Sequence, residues 1–225
     1  MRHLFLLAAL FCACISYAQI RVQERLPKSK TGFALTTAKT RAKIYYDVND
    51  ALVIKRSAEL FARDIQMVTG QKPELIQKRE RAKALVIVGT IEKNQWIREL
   101  AQKRKIDIRP LQGAWERYLI QTVDNPSPGV AKALVIAGSD RRGAAYGLFS
   151  ISEMMGVSPW YWWGDVPVKT HKALYVDAPP TYSKTPSVKY RGIFLNDEDW
   201  GLKPWAAKTF EKERGNIGPR TYAKI

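Results

Sequence analysis

Asn196-Asp197-Glu198-Asp199 places three consecutive carboxylates behind an amide, directly after the apolar run Val188-Lys189-Tyr190-Arg191-Gly192-Ile193-Phe194-Leu195. Carboxylates in that position can transfer protons to a bound molecule or hold its hydroxyl groups. Side chains alternate along a strand, so Asp197 would share a face with Leu195, Ile193 and Arg191 while Asn196 points the other way. The plainer interpretation of such a run is a solvated acidic turn. A second group, Trp160-Tyr161-Trp162-Trp163, offers flat rings that can cover the apolar faces of a ligand, with Trp162 singled out for that contact. Packing at a domain interface is the alternative, and Asp165 then pins the loop. Arg191 suits either a carboxylate on the ligand or a salt bridge to an acid such as Glu198. His171, in a polar stretch before Leu174-Tyr175-Val176, reads as a surface residue.

The elements that must position these groups are legible from periodicity. Ile44-Tyr45-Tyr46 is a short strand, and Ile54, Ala58, Phe61, Ile65 and Val68 recur at helical spacing until Gly70 stops the helix. Ala84-Leu85-Val86-Ile87-Val88 is a buried strand, and a second helix carries Trp96, Ile97 and Leu100. Tyr118–Val123 and Ala133–Ala137 are two further strands, parted by the turn-rich Asp124-Asn125-Pro126-Ser127-Pro128-Gly129. Asp140 caps a third helix that presents Ala144, Leu148, Ile151 and Met155 and ends at Gly156. Lys83–Thr90 and Lys132–Ser139 echo each other as strands ending in glycine plus a hydroxyl. Neither copy has the other glycines of a dinucleotide loop or the Gly-Lys-Ser/Thr of a P-loop. These elements make an α/β (α+β layered) domain over residues 20–178. Residues 179–187, with Pro179, Pro180 and Pro186, form a linker. Residues 188–225 open a second domain, with a strand over Val188–Leu195 and a helix starting near Gly218-Pro219; with no stop signal after that helix, the domain reads as cut short.

Composition narrows the chemistry. Residues 1–18 combine Arg2, the apolar run Leu4–Ile15 and the exit Ser16-Tyr17-Ala18, the pattern of a cleaved signal peptide. The apolar run is shorter than the roughly 20 residues that cross a bilayer. Cleavage removes both cysteines, Cys12 and Cys14, along with His3. The remaining residues have no thiol nucleophile, disulfide or thiolate metal site, and His171 is their single histidine. The formal net charge of +16 invites a polyanion partner. The basic residues are dispersed, as in Gln77-Lys78-Arg79-Glu80-Arg81 and Gln102-Lys103-Arg104-Lys105, without interleaved aromatics. That pattern suits solvated faces or an acidic polysaccharide better than nucleic acid.

Three segments carry a resemblance. Gly138-Ser139-Asp140-Arg141-Arg142-Gly143-Ala144-Ala145-Tyr146-Gly147-Leu148 looks like the last helix of the accessory domain that precedes the barrel in hexosaminidases and α-glucuronidases. Pro159-Trp160-Tyr161-Trp162-Trp163-Gly164-Asp165-Val166-Pro167 and Lys189–Leu202 follow it in order. Together they are similar to glycoside hydrolase family 115, the xylan α-1,2-(4-O-methyl)-glucuronidases. The resemblance implies an accessory domain, then a (β/α)8 TIM barrel of which residues 188–225 are the first strand and helix start, then further domains. It implies removal of glucuronic acid or its 4-O-methyl ether from glucuronoxylan by inversion, without metal or organic cofactor, in an exported enzyme that forms homodimers.

On that resemblance Asp197 is the catalytic candidate, and Asn196, Glu198, Trp162 and Arg191 are the substrate-binding candidates. Inversion needs two carboxyl groups on opposite sides of the scissile bond, which adjacent residues rarely supply. The general acid is therefore expected on later barrel strands, and the 225-residue chain is expected to be inactive by itself. A β-N-acetylhexosaminidase with a similar accessory domain, or a non-catalytic polysaccharide-binding module using the tryptophan loop, are the competing functions. The expected partners are polysaccharide, with no nucleic acid and no membrane after signal cleavage, in a secreted or periplasmic setting.

Overall fold

The computed structural model describes residues 19–161 and 166–224; the signal-peptide expectation, with Cys12 and Cys14, lies outside the described residues, as do Trp162, Trp163 and Asp165. The chain divides after Pro186 into two units.

In the first unit, runs of β-branched residues form strands and the 3.6-residue stripes form helices. The order is β1 (Arg21–Gln23), β2 (Gly32–Thr36), β3 (Lys43–Tyr46), α1 (Leu52–Thr69), β4 (Leu75–Ile76), β5 (Ala82–Thr90), α2 (Gln95–Gln102), β6 (Tyr118–Ser127), β7 (Val130–Gly138), α3 (Arg141–Met154), β8 (Leu174–Asp177) and β9 (Thr181–Tyr182). Six strands make one mixed sheet in the order β4-β3-β5-β7-β6-β9. The pairs β4–β3, β3–β5 and β5–β7 are parallel, while β6 runs antiparallel to both β7 and β9. A separate antiparallel sheet has the order β1-β8-β2.

Alternation along the strands divides the core in two. Ile44, Val86, Val88, Leu134 and Ile136 face α1 and α3 and share a cluster with Phe33, Leu35, Leu174 and Val176 of the small sheet. Tyr45, Leu85, Ile87, Val135 and Ala137 face α2, where Trp96, Ile97 and Leu100 are buried. Trp96 meets Tyr45 edge-on, with ring centroids 4.9 Å apart, and carries the Arg79 guanidinium 4.8 Å from its centroid. Every residue of the α1 stripe (Ile54, Ala58, Phe61, Ile65, Val68) is fully buried. Gly70 ends α1 in the left-handed conformation (φ 71°), donating its N–H to the Gln66 carbonyl. That φ strains any residue with a Cβ.

Along the backbone, three stretches depart from the sequence expectations. The segment Asp124–Gly129 is mostly strand: β6 continues to Ser127 through an irregular register, with Asn125 in the left-handed region (φ 46°), and only Pro128-Gly129 turns. Residues 179–187 are more than a linker, because Thr181–Tyr182 adds β9 to the edge of the large sheet. Prolines exclude a central strand, yet they flank an edge strand without conflict, since an edge needs donors on one side only. Finally, no strand forms over Val188–Leu195. Tyr190 (88 % exposed) and Phe194 (93 % exposed) lie open. An apolar run becomes a strand only where a neighbour accepts its hydrogen bonds.

The second unit is short. It comprises the turn Asn196–Gly201, α4 (Leu202–Trp205), a π-turn (Ala206–Phe210) and α5 (Pro219–Lys224). The expected helix near Gly218 is α5.

Candidate functional site

The acidic turn is held by its own backbone. Asn196 Oδ1 accepts the Glu198 N–H (3.2 Å), its carbonyl accepts the Leu202 N–H (2.7 Å), and the Glu198 carbonyl accepts the Gly201 N–H (2.9 Å). A Cβ at Gly201 would lie 2.2 Å from the Asn196 carbonyl oxygen, so the turn closes only over glycine. Within it, the Lys203 ammonium donates to Asp199 (2.6 Å) and holds that carboxyl below the ordinary aspartate value.

Asp197 is exposed and accepts a hydrogen bond from the Tyr222 hydroxyl, which α5 brings back across the turn. The carboxylate pushes the Tyr222 phenol up, because ionising the ring would lose that bond and set two negative charges together. α5 is fixed in turn by Glu211, whose side chain is buried. Its Oε2 accepts the N–H groups of Gly218 (2.9 Å) and Thr221 (3.0 Å) and the Thr221 hydroxyl. A carboxylate at a helix start satisfies orphan donors and faces the positive end of the dipole. The Thr221 hydroxyl contributes most to holding the Glu211 carboxyl below its ordinary value.

Asn196, Asp197 and Glu198 are therefore brought together, with Asn196 half-buried and the two acids open to solvent. Arg191 is exposed and donates from Nη1 to the Val188 carbonyl (2.7 Å). Trp162 lies outside the described residues. Sequence reasoning missed Tyr222 and Glu211. Glu211 carried a weak signal, an acid seven residues before the Gly218-Pro219 helix start; nothing local ties Tyr222 to Asp197.

Two other places were open to ligands. The glycine-hydroxyl strand ends are filled by the protein itself. Asp50 accepts the Thr90 N–H (2.7 Å) and hydroxyl (3.0 Å), and a Cβ at Gly138 would lie 2.2 Å from the Ala144 nitrogen. Asp140 accepts the N–H groups of Arg142 (2.9 Å) and Gly143 (2.8 Å) as the cap of α3. Carboxylates at both strand ends repel a phosphate. In the aromatic loop, Trp160 is exposed and Tyr161 packs on the core. Tyr161 lines a cavity of about 430 Å³ with Tyr118, Tyr146, Phe149 and Asp64. Burial raises the Asp64 carboxyl. His171 is half-buried rather than a surface residue, with Nδ1 2.8 Å from a Glu24 oxygen. Among the described residues no group of three His, Cys, Asp or Glu side chains is placed to hold a metal ion, and no helix is long and apolar enough to cross a membrane.

Residues 183–225, which contain the acidic turn and α5, match the family model of glycosyl hydrolase family 115. Among solved structures, the chain is similar to BtGH115A, a family GH115 4-O-methyl-α-glucuronidase with specificity for decorated arabinogalactans. The identity is 35 % and the TM-score 0.67, over 86 % of this chain and 24 % of that one. A weaker likeness is to the GH20 β-N-acetylhexosaminidase of Streptomyces coelicolor A3(2), at 13 % identity and a TM-score of 0.37, over 76 % of this chain and 25 % of that one. That likeness is too slight to carry an argument. No curated protein matches. The chain thus spans about a quarter of the length of the glucuronidase it resembles. On the family-model match and the similarity to BtGH115A, the chain belongs to glycosyl hydrolase family 115.

Proposed function

We propose that this chain is part of an exported α-glucuronidase that removes glucuronic acid or 4-O-methylglucuronic acid side chains from glucuronoxylan with inversion. The observation that carries this reading is that the family match covers the Asn196 turn together with the helix that binds it. The similarity to a 4-O-methyl-α-glucuronidase over most of the chain supports the same bond specificity. Because that relative acts on decorated arabinogalactans, uronate side chains on an arabinogalactan are a second substrate to be tested.

In this reading Asp197 orients a substrate hydroxyl or the attacking water. Tyr222 positions Asp197, and Asn196 and Glu198 take neighbouring hydroxyls. Arg191 and Trp162 bind the uronate carboxylate and the sugar face. Inversion requires a second carboxyl group about 6.5–9.5 Å from the first, on the other side of the bond. Glu211 does not suit that role, since its carboxylate already accepts three hydrogen bonds within the second unit. The other carboxyl would come from further barrel strands, and the 225 residues by themselves would be inactive.

The test is incubation of an extended protein, carrying the barrel, with glucuronoxylan and with a uronate-decorated arabinogalactan. Proton NMR of the first turnovers should show released uronic acid appearing as the β anomer. Changing Asn196 and Asp197 together to alanine should lower kcat/KM by roughly 100-fold or more, the scale lost when groups that meet the transition state are removed. Full turnover in that double variant, or activity on aryl N-acetylhexosaminides in place of uronosides, would overturn the reading.

A further inference from the structure

Several cations of the first unit that lie near carboxylates are paired with them. Lys43 bridges Glu74 (2.9 Å) and Glu80 (2.6 Å), Arg79 pairs with Glu99 (2.7 Å), Arg109 with Asp107 (2.7 Å) and Lys132 with Asp124 (3.1 Å). Arg81, Lys83, Lys103 and Lys105 have no ion pair among the described residues, and all four line one groove of about 790 Å³. The groove lies where β5 and β7 begin and α2 ends, and no carboxylate lines it. The acids that flank it in sequence are engaged elsewhere, Asp124 by Lys132 and Glu80 by Lys43.

Two of the cations are positioned rather than loose. The Lys105 ammonium donates to the carbonyl of Asn125, which is held at φ 46°. The stem of Arg81 crosses Gly129, where a Cβ would lie 2.8 Å from Arg81 Cγ. Gly129 itself has φ 83°, and its carbonyl accepts the Ala82 N–H (3.0 Å). The hairpin turn thus needs glycine both for its backbone and for the passage of that side chain. The C-terminal dipole of α2 accounts for lysines at 103 and 105. It does not account for Arg81 and Lys83, which lie at the start of β5, the strand that precedes α2 in the chain.

Like charges gathered in a concavity repel, and an anion bound between them offsets that repulsion. We propose that this groove binds the uronate carboxylates of an acidic polysaccharide, at a site separate from the Asn196 turn. The choice of a uronate rests on the function proposed above. The lining favours it over nucleic acid, because no aromatic ring is present on which bases could stack. Asn125 and Ser127 supply hydrogen-bonding groups for sugar hydroxyls beside the cations. In the enzyme such a site would hold a neighbouring decorated stretch of polymer while another side chain is cleaved.

Isothermal titration of the 225-residue chain tests this with three probes: xylo-oligosaccharides carrying 4-O-methylglucuronate, the same oligosaccharides without it, and oligothymidylate. The uronate-bearing sugar should bind, more weakly as salt rises, and the neutral sugar should not. The double variant Lys83→Gln/Lys103→Gln leaves the Lys105 and Arg81 contacts in place and should keep the parent melting temperature. It should bind roughly tenfold more weakly, as expected for the loss of charge-assisted contacts. Absence of uronate binding, equal binding of the neutral sugar, equally tight binding of oligothymidylate, or unchanged affinity in the variant would each overturn the proposal. If the groove binds but the extended protein releases no uronic acid, the function falls and the groove stands. If the extended protein is active and the groove does not bind, the groove alone falls.

Discussion

At the scale of single residues, carboxylates organise this molecule wherever backbone donors lack partners. Asp140 serves two elements at once. Oδ1 caps α3, while Oδ2 accepts the N–H of Glu116 (2.6 Å), a residue held at φ 53° whose own carboxylate meets Arg142 (2.8 Å). Asp140→Ala should destabilise the first unit by about 1–2 kcal/mol, the range of a lost N-cap, read from urea denaturation. An unchanged midpoint would mean that water replaces the cap. Asp197 and Tyr222 make a second test. The Tyr222 phenol sits above its ordinary value because Asp197 accepts its hydrogen bond, so Asp197→Asn should bring that one tyrosine down toward about 10 in a spectrophotometric difference titration. No difference between variant and parent would show that the two side chains do not meet in solution.

At the scale of elements, α5 depends on Glu211 more than on packing. It is a helix of 6 residues, too short to persist by propensity, and its start is tied to a buried carboxylate. The folded-state value of Glu211 is depressed, so its contribution is complete above the unfolded glutamate value of about 4.3. It is lost as pH falls through the lower, folded-state value. Amide exchange at Gly218 and Thr221, measured relative to the core amides of β5, should therefore quicken on acidification below pH 4.3, about the unfolded value. Glu211→Gln should show the quickened exchange at neutral pH and flatten the dependence.

In the first unit α1, α2, α3 and the strands β3, β5, β6 and β7 were legible because burial imposes its period on the sequence, whereas β4 and the small sheet β1-β8-β2 were not. The α1 stripe, the β5 and β7 runs and the Asp140 cap all appear where periodicity put them. β9 was not legible, since two residues between prolines carry no period and pair only because Leu119 and Ile120 stand opposite. The acidic turn was visible as chemistry. Its setting was not, because Val188–Leu195 reads as a strand and nothing within the second unit pairs with it.

At the scale of the whole molecule, the first unit runs through Pro186, so nearly all of the expected linker 179–187 belongs to it. Residues 178–183 sheathe one edge of β6. Ala178 accepts the Thr122 N–H (2.8 Å), β9 pairs with Leu119 and Ile120, and Ser183 exchanges bonds with Tyr118 through its N–H (2.9 Å) and its hydroxyl (2.9 Å). An uncovered edge of that kind invites pairing with another chain. A piece covering residues 19–186 should therefore stay monomeric and melt cooperatively, whereas residues 19–177 should melt lower and self-associate in sedimentation. Equal behaviour of the two would show that the edge is protected by other means.

The same seam governs how the chain responds to pulling. Tension applied beyond Pro186 reaches the first unit through β9, whose hydrogen bonds to β6 lie across the strand and are few. Drawn from its C-terminal end, such a strand peels one bond at a time rather than shearing all together. The outermost ribbon would detach at low force while β5 and β7, locked in the middle of the sheet, stayed intact. A tether of this design lets residues beyond Pro186 be displaced without unravelling the central sheet.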